Sequence, residues 1–158
     1  MNYRDRYYIS YIGETGVSFY ARIKEHLIRI MGGDYESADP ESLAVGEAKP
    51  LWRGMWRKDT RDKMNEFMDI YAELAPKIIR SISAVRMFLG ALEGCGQVDR
   101  RLIEGALAHH LRSQTNEIKR FLPDDIRYLK MRVGQRKVRV SITCPVEVIG
   151  LPSQIVIR

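Results

Sequence analysis

Cysteine is scarce: Cys95 and Cys144 are the only two in the chain. Two such thiols do not make the disulfide framework of a small secreted scaffold. No run of apolar residues approaches the ~18 that a membrane helix needs. The opening Met1-Asn2-Tyr3-Arg4-Asp5-Arg6 has no apolar centre and does not read as a signal peptide. The expectation is a cytoplasmic chain with no membrane partner. His109 and His110 lack the spacing of a zinc pair with another His or Cys. Internal repeats, low-complexity tracts, a P-loop, a dinucleotide fingerprint and a serine elbow are all missing. Cys95, in Gly94-Cys95-Gly96, has no partner His that would activate it.

What remains is a chain of 158 residues, enough for one domain with a real core. Its hydrophobic content of 45% and charged content of 29% are ordinary for a globular protein. The formal net charge is +6. Eight cations fall between residues 119 and 139: Lys119, Arg120, Arg127, Lys130, Arg132, Arg136, Lys137 and Arg139. Asp124 and Asp125 alone oppose them, so this stretch carries the entire excess. A polyanion is the natural partner for such a block, and a solvated charged surface is the simpler alternative.

Tyr7 to Gly13, aromatic and β-branched, reads as a strand. Glu14-Thr15-Gly16 is a turn, and Ser18 is placed to cap a helix in which Phe19, Ile23, Leu27 and Ile30 keep helical spacing until Gly32-Gly33. Residues 34–50 are acidic and rich in Ser, Ala and Pro, and read as a surface loop that extends as an insertion to about 58. A helix is expected over Thr60–Ala75 and a strand over Ile78–Leu92. A helix capped by Asp99 then runs to about Ser113, and a shorter one opens at Pro123-Asp124-Asp125. The tail from 137 to 157 reads as a β-ribbon. The expected fold is α/β in the α+β sense: a small, mainly antiparallel sheet flanked by helices, in a single domain, with residues 119–158 as a basic segment and ribbon.

Three groups of residues can carry chemistry. Arg22, His26 and Arg29 share one face of the first helix, beside its apolar stripe, as a cleft wall or a solvated face would. Tyr11 has an ordinary pKa near ~10 and can act as a base only if cations or a metal lower it. Gly13 would let a phosphate or the helix start approach the backbone closely. Glu104 shares a face with Leu107, Ala108 and Leu111. A carboxylate at that interior edge needs a partner, either a divalent metal or a salt bridge to Arg100 or Arg101. Trp52, Met55 and Trp56, with Arg53, Arg57 and Lys58, either stack on nucleic acid or anchor the 34–58 loop to the core.

Tyr11-Ile12-Gly13-Glu14-Thr15, followed by Arg22 and His26, resembles the second half of the GIY-YIG endonuclease signature. The resemblance spans roughly residues 7 to 120, and its specific part is 11 to 26. It implies a metal-dependent DNA endonuclease in which Glu104 holds one Mg²⁺ (or Mn²⁺), Tyr11 activates water, Arg22 stabilises phosphoryl charge and His26 shares or orients the proton. Arg29, with Lys119, Arg120, Arg127, Lys130, Arg132, Arg136 and Lys137, would hold the DNA backbone. By order and spacing the family's later asparagine falls on Asn116, although on a helix continuous from Glu104 it would point about 120° away. Six residues precede Tyr7, too few for the strand, turn and return of the GIY half. Tyr7 or Tyr8 would then replace the missing phenol, or a strand of the C-terminal ribbon would take the vacant place in the sheet. The alternative function is a catalytically inactive nucleic-acid-binding domain on the same scaffold. A homodimer would suit a double-strand cut.

Overall fold

Residues 2 to 8 form a complete β-hairpin. The computed structural model describes residues 1–55, 61–122 and 138–157. In chain order these form β1 (Asn2–Tyr3), β2 (Arg6–Tyr8), α1 (Phe19–Met31), β3 (Ser37–Ala38), α2 (Pro40–Ala44), β4 (Pro50–Trp52), α3 (Arg61–Ser83), α4 (Gln97–Arg112), α5 (Asn116–Lys119), β5 (Val138–Ser141), β6 (Val148–Ile149) and β7 (Gln154–Ile157). The fold is α+β, with small, mostly antiparallel sheets and a C-terminal ribbon of β5 and β7. No helix among the described residues is long and apolar enough to cross a membrane. The chain divides into two compact units, Met1–Gly16 with Phe88–Arg158, and Val17–Met87.

In the first unit, β1 and β2 pair antiparallel with Tyr3 opposite Arg6. A two-residue loop closes them, with Arg4 at φ 52° and Asp5 at φ 58°. Positive φ at both central residues defines a type I′ turn, which follows the natural twist of a hairpin but normally draws Asn-Gly. Arg and Asp cost on the order of 1 kcal/mol each in this region. The expectation that six residues are too few for a strand and its return is therefore overturned, because this turn is the shortest that a hairpin can use. β6 of the C-terminal tail pairs parallel with β2, so a tail strand does join the N-terminal sheet. Tyr3, Tyr8 and Phe121 are buried and pack edge to face, with centroids 5.5–6.2 Å apart. A second cluster sets Leu102 and Ile103 of α4 against Ile155 of β7.

The expected strand over 7–13 is shorter in the structure: it ends at Tyr8, and residues 9–15 have no regular structure. Asp99 is not the first residue of its helix cap. Gly96 is, and the Asp99 carboxylate accepts its N–H at 3.0 Å. Residues 113–115 separate α4 from α5, so Glu104 and Asn116 do not share one continuous helix. The helix expected at Pro123-Asp124-Asp125 lies outside the described residues.

In the second unit, Ser18 caps α1 by accepting the Ala21 N–H at 3.2 Å. Gly33, just beyond the helix, sits at φ +73°, the left-handed conformation in which helices commonly end. Its carbonyl accepts the Trp52 indole N–H at 2.7 Å. Trp52, Met55, Phe67, Leu74 and Ile78 form the core, flanked by Ile30, Met31, Leu51, Tyr71 and Ile82. Trp52 and Met55 thus anchor the segment after residue 34 to the core; Trp56, Arg57 and Lys58 lie outside the described residues. That segment is more ordered than the surface loop expected of it. β3 pairs with β4, and α2 starts at Pro40 with Asp39 accepting the Ser42 N–H at 3.0 Å.

The expected helix end at Ala75 and strand over 78–92 are also overturned. α3 continues through Pro76 to Ser83, and residues 85–92 have no regular structure. Phe67, Tyr71, Leu74, Ile78 and Ile82 recur every three or four residues, and burying that stripe outweighs the one backbone hydrogen bond that Pro76 cannot make. Pro76 itself is exposed.

A Cβ on Gly33 would lie 2.5 Å from the Phe67 ring in a backbone region that side chains avoid. Gly33→Ala should lower unfolding free energy by about 2–4 kcal/mol, combining left-handed strain with overpacking. Urea denaturation measures this, and a loss under about 0.5 kcal/mol would mean that the Gly33–Phe67 contact is not part of the core as described.

Candidate active site

The residues singled out from the sequence are divided between the two units: Tyr11 and Glu104 belong to the first, Arg22, His26 and Arg29 to the second. In the first unit the segment after β2 is anchored by Glu14. Its carboxylate is 14% exposed and lies 3.3 Å from Arg100 Nε and 3.2 Å from Arg101 Nε. Arg100 also donates to the Cys95 carbonyl at 2.9 Å, just ahead of α4. A carboxylate removed from water gains most from charge-assisted donors, and two guanidinium groups supply them. The segment carrying Tyr11 and Gly13 is thereby fastened to the first turns of α4.

This contact settles the partners of Arg100 and Arg101, which spacing alone would also allow to be Glu104. Both arginines turn to Glu14. Glu104 stands one turn beyond Arg100, hence on the same side of α4, and is half-buried between Ile103 and Gly105, both buried. Nothing local pointed to Glu14, which pairs across 86 and 87 residues. One hint was present: two adjacent arginines near the start of a helix sit against its dipole, so they call for an outside anion.

Tyr11 is 52% exposed. Its ring folds back over Gly13, where an added Cβ would come within 2.5 Å of the phenol oxygen. Only glycine leaves room for this arrangement, a closer approach than the phosphate or helix start considered for Gly13 from the sequence. Tyr7 is half-buried with its ring 5.5 Å from Phe88, edge to face. Tyr8 is buried, and its hydroxyl donates to Glu117 at 3.5 Å. Asn116 is exposed at the first position of α5.

On α1 of the second unit, Arg22, Glu25, His26 and Arg29 form one charged strip. Glu25 bridges the two arginines, 3.1 Å from Arg22 Nη1 and 3.1 Å from Arg29 Nε, and Arg29 Nη1 lies 2.7 Å from Asp34. The Arg22 hydrogen bond, with the charges of Arg22, Arg29 and His26, holds the Glu25 carboxyl below its ordinary range against a smaller opposing effect of burial. His26 packs edge to face on Tyr35 at 5.3 Å. Burial first, then Arg22 and Arg29, push its pKa below the ordinary 6.5, with Glu25 pulling the other way. The imidazole is therefore neutral at neutral pH and able to accept a proton. The apolar stripe read on α1 is shallower than expected, since no residue of that helix is fully buried.

Of the basic residues expected to hold DNA, Lys119 and Arg120 are described and partly exposed, at the end of α5 and just after it. Arg127, Lys130, Arg132, Arg136 and Lys137 lie outside the described residues. No group of three or more His, Cys, Asp or Glu side chains among the described residues is arranged to hold a metal ion. A single half-buried carboxylate nevertheless suits Mg²⁺, which keeps most of its water shell and is commonly held by one or two carboxylates together with substrate phosphate. Comparison with models of known protein families, with characterised proteins and with solved structures finds no match.

The lowered His26 pKa has a pH signature. The unfolded chain binds the His26 proton near pH 6.5 and the folded chain binds it only at lower pH. Stability is therefore constant above about 6.5 and declines as pH falls below it. Thermal unfolding between pH 7.5 and 5.5 should show a falling midpoint for the native protein and a flatter profile for His26→Gln. Identical slopes would remove His26 as the titrating group.

Proposed function

We propose that the chain is a metal-dependent DNA endonuclease of the GIY-YIG type, hydrolysing phosphodiester bonds. The observation that carries this reading is the Glu14 clamp: it fastens the YIG segment, with Tyr11, to the helix that bears Glu104. Glu104 is the residue that would hold Mg²⁺ or Mn²⁺, and the ion when bound supplies charge neutralisation at the scissile phosphate. Tyr11, exposed and set by its contact with Gly13, orients the attacking water through its phenol oxygen. Arg22 offers guanidinium donors to the phosphoryl oxygens as negative charge accumulates on them. In the resting protein Glu25 occupies one of those donors, so substrate phosphate takes the place of a carboxylate already matched to the same geometry. Neutral His26 accepts or shares the proton released by water. Each of these contributions is electrostatic or positional, which is what phosphoryl transfer chiefly requires.

Arg29, Lys119 and Arg120 would hold the backbone without reading sequence, as would the basic residues from 127 to 137. A domain that binds nucleic acid without cutting it is the second reading. The carboxylate partner on Arg22 favours it, since an arginine held in an ion pair is partly withdrawn from catalysis.

Nicking of supercoiled plasmid with Mg²⁺ or Mn²⁺ separates the two. The native protein should nick only with metal, and Glu104→Gln and Arg22→Ala should each lose about 10²-fold or more, the scale of losing one charge-stabilising group. Salt-sensitive DNA binding with no nicking under any metal would establish the binding domain instead.

A further inference from the structure

The hairpin turn in the first unit has a feature that the cleavage chemistry leaves unused. Arg4 and Arg120, 116 positions apart in the sequence, both place their guanidinium groups over the ring of Tyr3, at 5.1 Å and 5.3 Å from its centroid. Tyr3 is 8% exposed and is wedged edge to face against Tyr8 and Phe121. It is therefore a fixed platform, and the two guanidinium carbons stand no more than about 10 Å apart. Neither arginine has a carboxylate partner among the described residues, whereas Arg6 beside them reaches Glu117 at 3.9 Å. Lys119 adjoins Arg120 in the chain.

The backbone beneath Arg4 is a second, independent observation. A type I′ turn is least strained with Asn-Gly, yet here Arg and Asp occupy its two positive-φ positions. Strain kept in a local structure is a reason to look for a role that the strained side chain performs. Arg4 is exposed at the tip of the turn, with its guanidinium over the Tyr3 ring. Stacking restricts both guanidinium groups before any ligand arrives, so less freedom is lost when one binds.

We propose that Arg4 and Arg120, mounted on Tyr3, form a phosphate clamp for the DNA backbone, separate from the residues proposed for cleavage. Successive phosphates of a DNA strand rise ~3.4 Å along the axis and turn about it as well, so they lie further apart than that rise, and two cations within this separation can meet neighbouring phosphates of one strand. Such a clamp engages backbone of any sequence. The proposal rests on the nucleic-acid reading above and adds Arg4 and Tyr3 to the contact surface.

The test uses full-length Glu104→Gln protein without divalent metal, so that binding is measured apart from cleavage. Fluorescence anisotropy with a labelled duplex is recorded across a range of salt concentrations. Adding Arg4→Asn should weaken binding about three- to tenfold near 0.1 M salt and reduce the slope of log K against log salt by about 0.9. The same change should raise the melting temperature by roughly 2–4 °C, because Asn relieves the turn. Arg4→Lys should keep the salt slope, and Arg120→Gln should reduce it by about 0.9, as Arg4→Asn does. Weaker binding by a more stable protein is not what a purely structural arginine gives. Native slope and affinity in both Arg4→Asn and Arg120→Gln would overturn the clamp while leaving the nuclease reading in place. Absence of salt-dependent DNA binding in the Glu104→Gln parent would overturn both.

Discussion

The first unit turns on one carboxylate. Glu14, largely out of water, is held by two guanidinium groups that α4 presents from consecutive positions. Residues 9–15 form neither helix nor strand, and this contact ties the segment that holds Tyr11 and Gly13 to α4. Removing either side would leave a partly buried charge without its partner, the most damaging change a buried ion pair can suffer. α4 in turn rests on β7 through Leu102, Ile103 and Ile155, so the clamp fastens an irregular segment to a packed helix. Precision in a segment without regular structure has to come from such tethers.

The second unit organises charge differently. On α1 Glu25 bridges Arg22 and Arg29, and Asp34 takes a second donor of Arg29, so with His26 neutral the strip is nearly self-compensated at rest. Surface pairs of this kind contribute little to stability. Their consequence lies in titration: burial and then the neighbouring arginines keep His26 neutral, and the Arg22 hydrogen bond with the same arginine charges keeps Glu25 ionised against the opposing effect of burial. On the proposed reading, such a strip exchanges an internal carboxylate for an external phosphate. That exchange is the physical content of the role proposed for Arg22.

Local signals decided which parts of this chain were legible beforehand. α1 was, because Ser18, the spacing of Phe19, Ile23, Leu27 and Ile30, and Gly32-Gly33 all agree. α3 was only half legible: Ile78, Ile79, Ile82 and Val85 fit both a strand and a helix period, and Pro76 suggested a break that core burial overrides. The hairpin was hidden because Arg4-Asp5 has neither the Asn nor the Gly that usually marks a type I′ turn. Strand order could not be read from residues 138–157 alone, since the pairing of β6 with β2 is fixed at long range. Among the candidate site residues, Arg22, His26 and Arg29 fell on one helix face as spacing requires. The Glu14 clamp, by contrast, joins groups more than 80 positions apart, and no periodicity reports such a contact.

The central claim is that the YIG segment and Glu104 act together in phosphodiester hydrolysis because Glu14 ties that segment to α4. Single-turnover cleavage of a duplex oligonucleotide with saturating Mg²⁺, comparing the native protein with Glu14→Gln, tests it most directly. The account predicts metal-dependent cleavage by the native protein. In the variant it predicts a rate constant more than tenfold lower with DNA affinity nearly unchanged, the mark of lost positioning. Cleavage by Glu14→Gln at the native rate, or no metal-dependent cleavage by the native protein, would contradict it.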